Sequence, residues 1–404
     1  MSVIKNWTLG SAAKDFVNMN KKATDGVLVL LIFSVLYVQI GLSLLSAQTN
    51  IANYGSISHI QPLHVEGRNI KNSLGEIVVL RGVNKHGFED DPRGHWQRFD
   101  GGISYNTFDT NIVAANLDAM RSWGINFVRS YSTVQFWVEN TGNHRQIIKE
   151  YASLAAQCGI YLLYSFWHIL PTAGQTGAPY PPYCENNPYL NSSADFVELW
   201  RSIAIELKDY PNILFELWNE PLGDKEIWFN TVQQCIIAIR STGATNLIVV
   251  QWDYGLWANL NYPNVGSKMD WVQQYSLNDT TGNIVYSTHI YRDGGVHYSE
   301  PSYVYCWTYD DMLKGLQICL VDYVINTLNK PILVGEIGPN MWRTGDELTK
   351  ELAFYNNTLT ILNEWNISYA AFWWWPLGSY PHLTTAPGYQ PNVAGIILRS
   401  MLSS

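Results

Sequence analysis

Two glutamates carry the chemistry this sequence could perform. Glu220 ends the run NILFELWNE at 212–220, and Glu336 sits in PILVGEIG at 331–338. Two carboxyls about 5–5.5 Å apart can cleave a glycosidic bond with retention of configuration. One attacks the anomeric carbon. The other protonates the leaving oxygen and then deprotonates water. Glu220 is the expected acid/base and Glu336 the expected nucleophile. The two roles need different pKa values, raised for the acid and low for the nucleophile. Arg129 is expected to hold Glu336 ionised through a charge-assisted hydrogen bond. Asn219 offers a neutral donor for the sugar 2-hydroxyl, where contacts strengthen in the transition state. Glu216 competes with Glu220, four residues away on one strand face. It lies deeper, where a buried charge needs partners, and a structural role is expected for it.

Such a pair must be carried by elements that bring residues 116 positions apart together. From residue 78 onward, short apolar β-rich runs alternate with helical stretches. The runs are VVLRGVN (78–84), INFVRSY (125–131), IYLLYSF (160–166), NILFELWNE (212–220), NLIVVQW (246–252), IVYSTHI (284–290), PILVGEIG (331–338) and YAAFWWW (369–375). Helices are expected near 111–122, 145–158, 194–208, 225–241, 309–328 and 346–364. Eight strand–helix units in this length predict an α/β fold, a (β/α)8 TIM barrel. The alternative, a doubly wound sheet, lacks a Gly-rich phosphate fingerprint after any strand. Barrel chemistry sits at the carboxyl ends of the strands. Those ends carry Asn84, His86, Arg129, Trp167, His168, Asn219, Glu220, Trp252, His289, Tyr291, Glu336 and Trp373 to Trp375. Glu220 closes the fourth strand and Glu336 the seventh, so they face each other across one mouth. Ahead of the barrel, residues 63–82 suggest a short N-terminal β-hairpin turning at Ser73-Leu74-Gly75, placed to plug the barrel bottom.

Composition narrows the partner. Charged residues make up only 15% of the 404, against roughly 25% in a typical soluble domain. Aromatics reach 14%, with 17 Trp and 25 Tyr. Their flat faces with polar edges suit the C–H faces of sugar rings as well as a core. The net charge of −9 argues against nucleic acid. The five cysteines form no CxxC pair, so no zinc site is expected. Cys158 and Cys235 are expected as buried thiols. A bridge between Cys184 and Cys306 is left open. No metal and no cofactor is called for by this chemistry.

The N-terminus has a different character. Residues 27–46 hold 20 positions without a charge, behind Lys5, Lys14, Lys21 and Lys22. That length can cross a bilayer, and the basic flank would leave everything after residue 47 outside the cell. The expected organisation is therefore a cytoplasmic segment 1–26, a transmembrane or signal-anchor helix 27–46, a linker 47–62 and a catalytic domain 63–404. An extracellular location follows, secreted or tethered to the membrane. Four sequons beginning at Asn191, Asn278, Asn356 and Asn366 are possible glycosylation sites.

These residues together resemble glycoside hydrolase family 5, the large cellulase family of clan A, over roughly residues 63–400. FELWNEP looks like its acid/base segment, with Asn219-Glu220-Pro221, and ILVGEIG like its nucleophile segment, with Glu336. VYSTHIY is similar to its strand-six segment, which makes His289 and Tyr291 substrate-site residues. NFVRSYS resembles its arginine segment, with Arg129. The resemblance further implies His168 as the strand-three histidine and Trp374 as the strand-eight tryptophan. The stretches RGVNKHGFED, with His86, and QWDYGLWANLNYP, with Trp252, look most like bacterial and archaeal endo-β-1,4-glucanases. A β-1,4-glucan is then the implied polysaccharide partner. Three segments depart from the pattern: RSYS after strand two, Phe-Trp-His in strand three and Lys85-His86 in strand one. A β-mannanase or xyloglucanase on the same barrel is the alternative enzyme. A carbohydrate-binding protein with a dead barrel is the alternative from another class.

Overall fold

The computed structural model describes residues 60–88, 99–100, 103–104, 110–169, 187–252, 256–257, 268–292, 307–374, 382–385 and 389–403. Within them eight parallel strands close into a ring. They are β1 (Arg81–Phe88), β2 (Phe127–Thr133), β3 (Tyr161–His168), β4 (Ile213–Glu216), β5 (Ile248–Gln251), β6 (Ile284–Tyr291), β7 (Ile332–Ile337) and β8 (Ser368–Ala371). Each pairs in parallel with the next, and β8 returns to β1 through Tyr369 opposite Arg81. The outer helices are α1 (Thr110–Ser122), α2 (His144–Gln157), α3 (Ser193–Leu207), α4 (Lys225–Ser241), a single turn α5 (Trp271–Gln274), α6 (Tyr309–Ile318), α7 (Gly345–Glu364) and α8 (Val393–Leu402). This is the expected (β/α)8 barrel.

The two-residue period of each strand sorts its side chains between two cores. Phe127, Leu163, Leu214, Val249, Val285, Leu333 and Ala370 form one apolar layer. Their neighbours Val128, Leu162, Phe215, Ile248, Tyr286, Val334 and Tyr369 belong to a second cluster, shared with the helices. Leu63 and Ile70 join the first layer. They come from a hairpin pairing Leu63–Glu66 with Asn69–Asn72, so the hairpin does close the amino end of the barrel. The closing layer leaves no spare room: a Cβ on Gly82 of β1 would meet the Phe127 carbonyl oxygen at 1.6 Å.

Several boundaries differ from the expected ones. The hairpin turns at Gly67-Arg68, where Gly67 has φ +60°, and not at Ser73-Leu74-Gly75. The latter turn leads only to a single bridge between Lys71 and Ile77. β1 begins at Arg81 instead of 78. β4 ends at Glu216, so Glu220 does not close a strand. It lies four residues beyond, in the left-handed region at φ 48°. The helix expected over 309–328 is broken at Leu320, φ 66°, and resumes as the short segment Val321–Asn326. α8 follows the last strand and was not foreseen. Cys235 is fully buried, as expected, whereas Cys158 at the end of α2 is only partly so.

The N-terminal segment, its apolar stretch, Cys184 and Cys306 lie outside the described residues. Among the described residues no helix is long and apolar enough to cross a membrane.

Candidate active site

The carboxyl ends of the strands carry a polar layer above the apolar one. Its centre is Arg129 on β2, fully buried and two residues above the core residue Phe127. The guanidinium fork has five N–H donors and no acceptor, so a buried Arg collects oxygens around it. Here Nε donates to Glu216 Oε2 at 2.8 Å, Nη1 to Asn84 Oδ1 at 3.0 Å and to Glu336 Oε1 at 2.8 Å, and Nη2 to Asn219 Oδ1 at 2.8 Å. Three other strands and the β4–α4 loop thus bring oxygens to one cation. Burial pushes the Arg129 pKa down, but the charges of Glu216 and Glu336 and the Tyr131 hydroxyl more than offset it, and the net shift is upward.

Glu336 is gripped from both sides. Arg129 and the Tyr131 hydroxyl, at 2.5 Å, bind Oε1, and the Tyr291 hydroxyl donates to Oε2 at 2.7 Å. His289 Nδ1 lies 3.6 Å from the same Oε2. Burial pushes this carboxyl up. The facing charges of His289 and Arg129 and the two tyrosine hydroxyls outweigh it, and the pKa is lowered. Glu220 has different company. Its Oε1 lies 2.7 Å from His289 Nδ1, and its backbone N–H donates to Gln251 Oε1 at 3.2 Å. Burial pushes its carboxyl up, the Glu336 charge adds to that, and His289 and Arg129 oppose; the net shift is upward. One carboxyl is therefore held as an anion and the other biased toward its acid form, the split that divides nucleophile from acid/base.

The two carboxyls are close. One ligand-type atom each from Glu220, His289 and Glu336 lies within 4.8 Å of the others. That is near the roughly 5–5.5 Å of a retaining pair and well short of the roughly 6.5–9.5 Å that leaves room for an attacking water in an inverting one. Among the described residues these three side chains are also the group near enough to share a metal ion. The Arg129 charge 2.8 Å from Glu336 opposes a dication there, and proton transfer fits the trio better.

Of the site residues expected from sequence, Arg129, Asn219, Glu220, His289, Tyr291 and Glu336 come together. Glu216 takes the deeper place expected for it, buried and paired with Arg129. His86 and His168 lie in β1 and β3 at the mouth end, and their side chains are outside the described residues. Trp374 does not join the group. It is 1% exposed, donates its indole N–H to Asn116 of α1 at 3.1 Å and stacks on Tyr389, so it packs the barrel wall against the helices. Trp252 is likewise buried, against Phe229 of α4. Sequence reasoning missed Tyr131 and gave Asn84 no role. Both were within reach of the two-residue period, since Tyr131 shares the inward face of Arg129 and Asn84 pairs with Arg129 in register. Asn84 is fixed by donating to the carbonyls of Gly335 and Ala370, which leaves its oxygen to accept from Arg129.

Comparison with known proteins agrees with this geometry. The chain is 25% identical over 295 residues to an endoglucanase of Clostridium saccharobutylicum, a match covering 70% of this chain and 52% of the relative. It is 24% identical over 287 residues to endoglucanase A of Butyrivibrio fibrisolvens, covering 68% and 54%. The chain thus spans about half the length of these relatives. Among solved structures it resembles the hyperthermophilic endocellulase of Pyrococcus horikoshii, with TM-score 0.62, 19% identity and coverage of 85% of this chain and 99% of that one. A β-glucanase of Saccharophagus degradans, solved in complex with cellotetraose, also superimposes, with TM-score 0.62, 15% identity and coverage of 85% and 93%. The model of the cellulase family, glycosyl hydrolase family 5, matches residues 83–378, from the first barrel strand to beyond the last, and the chain belongs to that family.

Proposed function

We propose that this chain is a retaining, endo-acting glycoside hydrolase that cleaves β-1,4-glucan of the cellulose type. The observation that carries the reading is the Glu220–His289–Glu336 cluster within 4.8 Å, with its two carboxyls shifted in opposite directions. In the first step the Glu336 carboxylate attacks the anomeric carbon while protonated Glu220 gives its proton to the leaving oxygen. A covalent glycosyl-enzyme results. In the second step Glu220, now ionised, takes a proton from water, which displaces Glu336. Arg129 stays charged throughout and fixes the line of attack. Asn219 turns its oxygen to Arg129, so its amide N–H2 is left to donate to the sugar 2-hydroxyl.

The substrate class rests on the endoglucanase and β-glucanase relatives and on the aromatic-rich composition. A membrane tether through residues 27–46, with the catalytic domain outside the cell, completes the reading and rests on the uncharged run behind four lysines.

The test is turnover by Glu220→Gln and Glu336→Gln on carboxymethyl-cellulose, mixed-linkage glucan, xyloglucan and mannan. Loss of essentially all hydrolysis in both variants is expected, with β-1,4-glucan preferred by the parent chain. Near-full activity of either variant would remove the catalytic assignment. Dominant mannan hydrolysis would overturn the substrate.

A further inference from the structure

We infer that Gly335, the residue before Glu336, is a positioning residue: the space left by its missing side chain seats the His289 ring in line with Glu220. The inference rests on the double-displacement reading and adds a residue that the reading does not require.

His289 is fully buried, and its two ring edges face different surroundings. The Nδ1 corner points at the carboxyls, 2.7 Å from Glu220 Oε1 and 3.6 Å from Glu336 Oε2. The opposite edge, Nε2 and Cδ2, backs onto Gly335. A Cβ built there would lie 3.0 Å from Nε2, 3.0 Å from Ser287 Oγ and 3.2 Å from Cδ2. Among the described residues Nε2 has no hydrogen-bond partner, so no second bond from them sets the tilt of the ring. Packing sets it, and Gly335 is the wall behind it.

A methyl at residue 335 would need the ring to give by a few tenths of an ångström. The ring cannot advance, because 2.7 Å to Glu220 is already at the short end of a hydrogen bond. Gly335 cannot retreat easily, because its carbonyl accepts from Asn84 Nδ2 at 2.9 Å and its neighbour Glu336 is bound to Arg129. The ring must tilt, and the Nδ1···Glu220 line bends. His289 opposes the upward shift of Glu220 and is the leading influence lowering Glu336, so its displacement raises both carboxyls together.

The experiment is the pH profile of kcat/KM for Gly335→Ala, with kcat and KM measured separately and thermal melting as a check of folding. Gly335 touches no substrate in this account. The expected result is a fall in kcat of about tenfold or more, as small misplacements of reacting groups produce, with KM nearly unchanged and both limbs of the profile moved to higher pH. Ser287→Ala removes the other contacted atom without adding bulk, and its profile should stay in place. A cycle with His289→Asn completes the test. If Gly335 acts through the imidazole, adding Gly335→Ala to His289→Asn should cost little further activity. Should Gly335→Ala fail to fold alone, folding in the His289→Asn background supports the seat, and failure in both overturns it. Unmoved limbs in a folded Gly335→Ala variant, equal costs in both backgrounds, or an equal shift from Ser287→Ala would each overturn the inference. If Glu220→Gln and Glu336→Gln abolish turnover while Gly335→Ala leaves the profile in place, the inference fails and the double-displacement reading stands.

Discussion

Removing the Tyr131 hydroxyl should unlock the nucleophile without unfolding the barrel. Tyr131→Phe keeps the ring, which packs 5.0 Å from that of Trp167, and deletes an oxygen 2.5 Å from Glu336 Oε1. Hydrogen bonds to charged groups contribute about 1.5–3 kcal/mol. Loss of that stabilisation from the anionic form changes the Glu336 protonation equilibrium by roughly ten- to a hundredfold, at about 1.4 kcal/mol per decade. The sign follows from the direction of the native shift. The Glu336 pKa is lowered in the folded protein, so its contribution to stability is present above the unfolded value and is lost as pH falls through the folded one. The variant raises the folded value, so part of that stability disappears at neutral pH. The acid limb of kcat/KM, which reports ionisation of the nucleophile, moves to higher pH. Initial rates on a soluble β-glucan across the pH range, with thermal melting at each pH, give both quantities. An acid limb that stays in place would show that Tyr131 does not hold Glu336 as a carboxylate. The account of the lowered pKa would then rest on Arg129, His289 and Tyr291 alone.

Two further predictions separate structural from chemical roles. Arg129→Met leaves Glu216 and Glu336 buried without their shared cation, so it should destabilise the fold by about 3–5 kcal/mol and abolish turnover; a melting temperature close to the parent's would refute the central place given to this ion pair. Trp374→Ala should cost about 3–5 kcal/mol through the cavity it leaves, while KM for glucan stays close to the parent value. A raised KM with unchanged stability would instead return Trp374 to the substrate cleft.

How far the sequence revealed this site depended on distance from a regular strand. The eight runs, with their alternation and their polar ends, were enough to predict the barrel and to place Arg129, His289, Tyr291 and Glu336 at one mouth. Glu216 was recognised as deep because inward positions two apart descend the barrel. The same rule could have found Tyr131, but its phenol looks like any core tyrosine until Glu336 is opposite it. Glu220 was picked out as the end of the fourth run, yet the strand stops at Glu216 and its backbone was wrongly continued as strand. Leu217 and Trp218 are apolar and buried like strand residues, and nothing in their types signals the left-handed turn at Glu220. Trp374 failed for a different reason. The eighth run of the sequence ends in three successive tryptophans, but β8 stops at Ala371, and the course of the backbone beyond it is not encoded in composition. The seat at Gly335 was invisible for the same reason, since a glycine marks closeness without naming the neighbour.

The most direct test of the account is the anomeric configuration of the first product. Under the proposed double displacement, hydrolysis of a soluble β-glucan followed by proton NMR should show the β-anomer first, with the α-anomer growing only as mutarotation proceeds. Immediate release of the α-anomer would mean a single displacement by water, and Glu336 would not be the nucleophile.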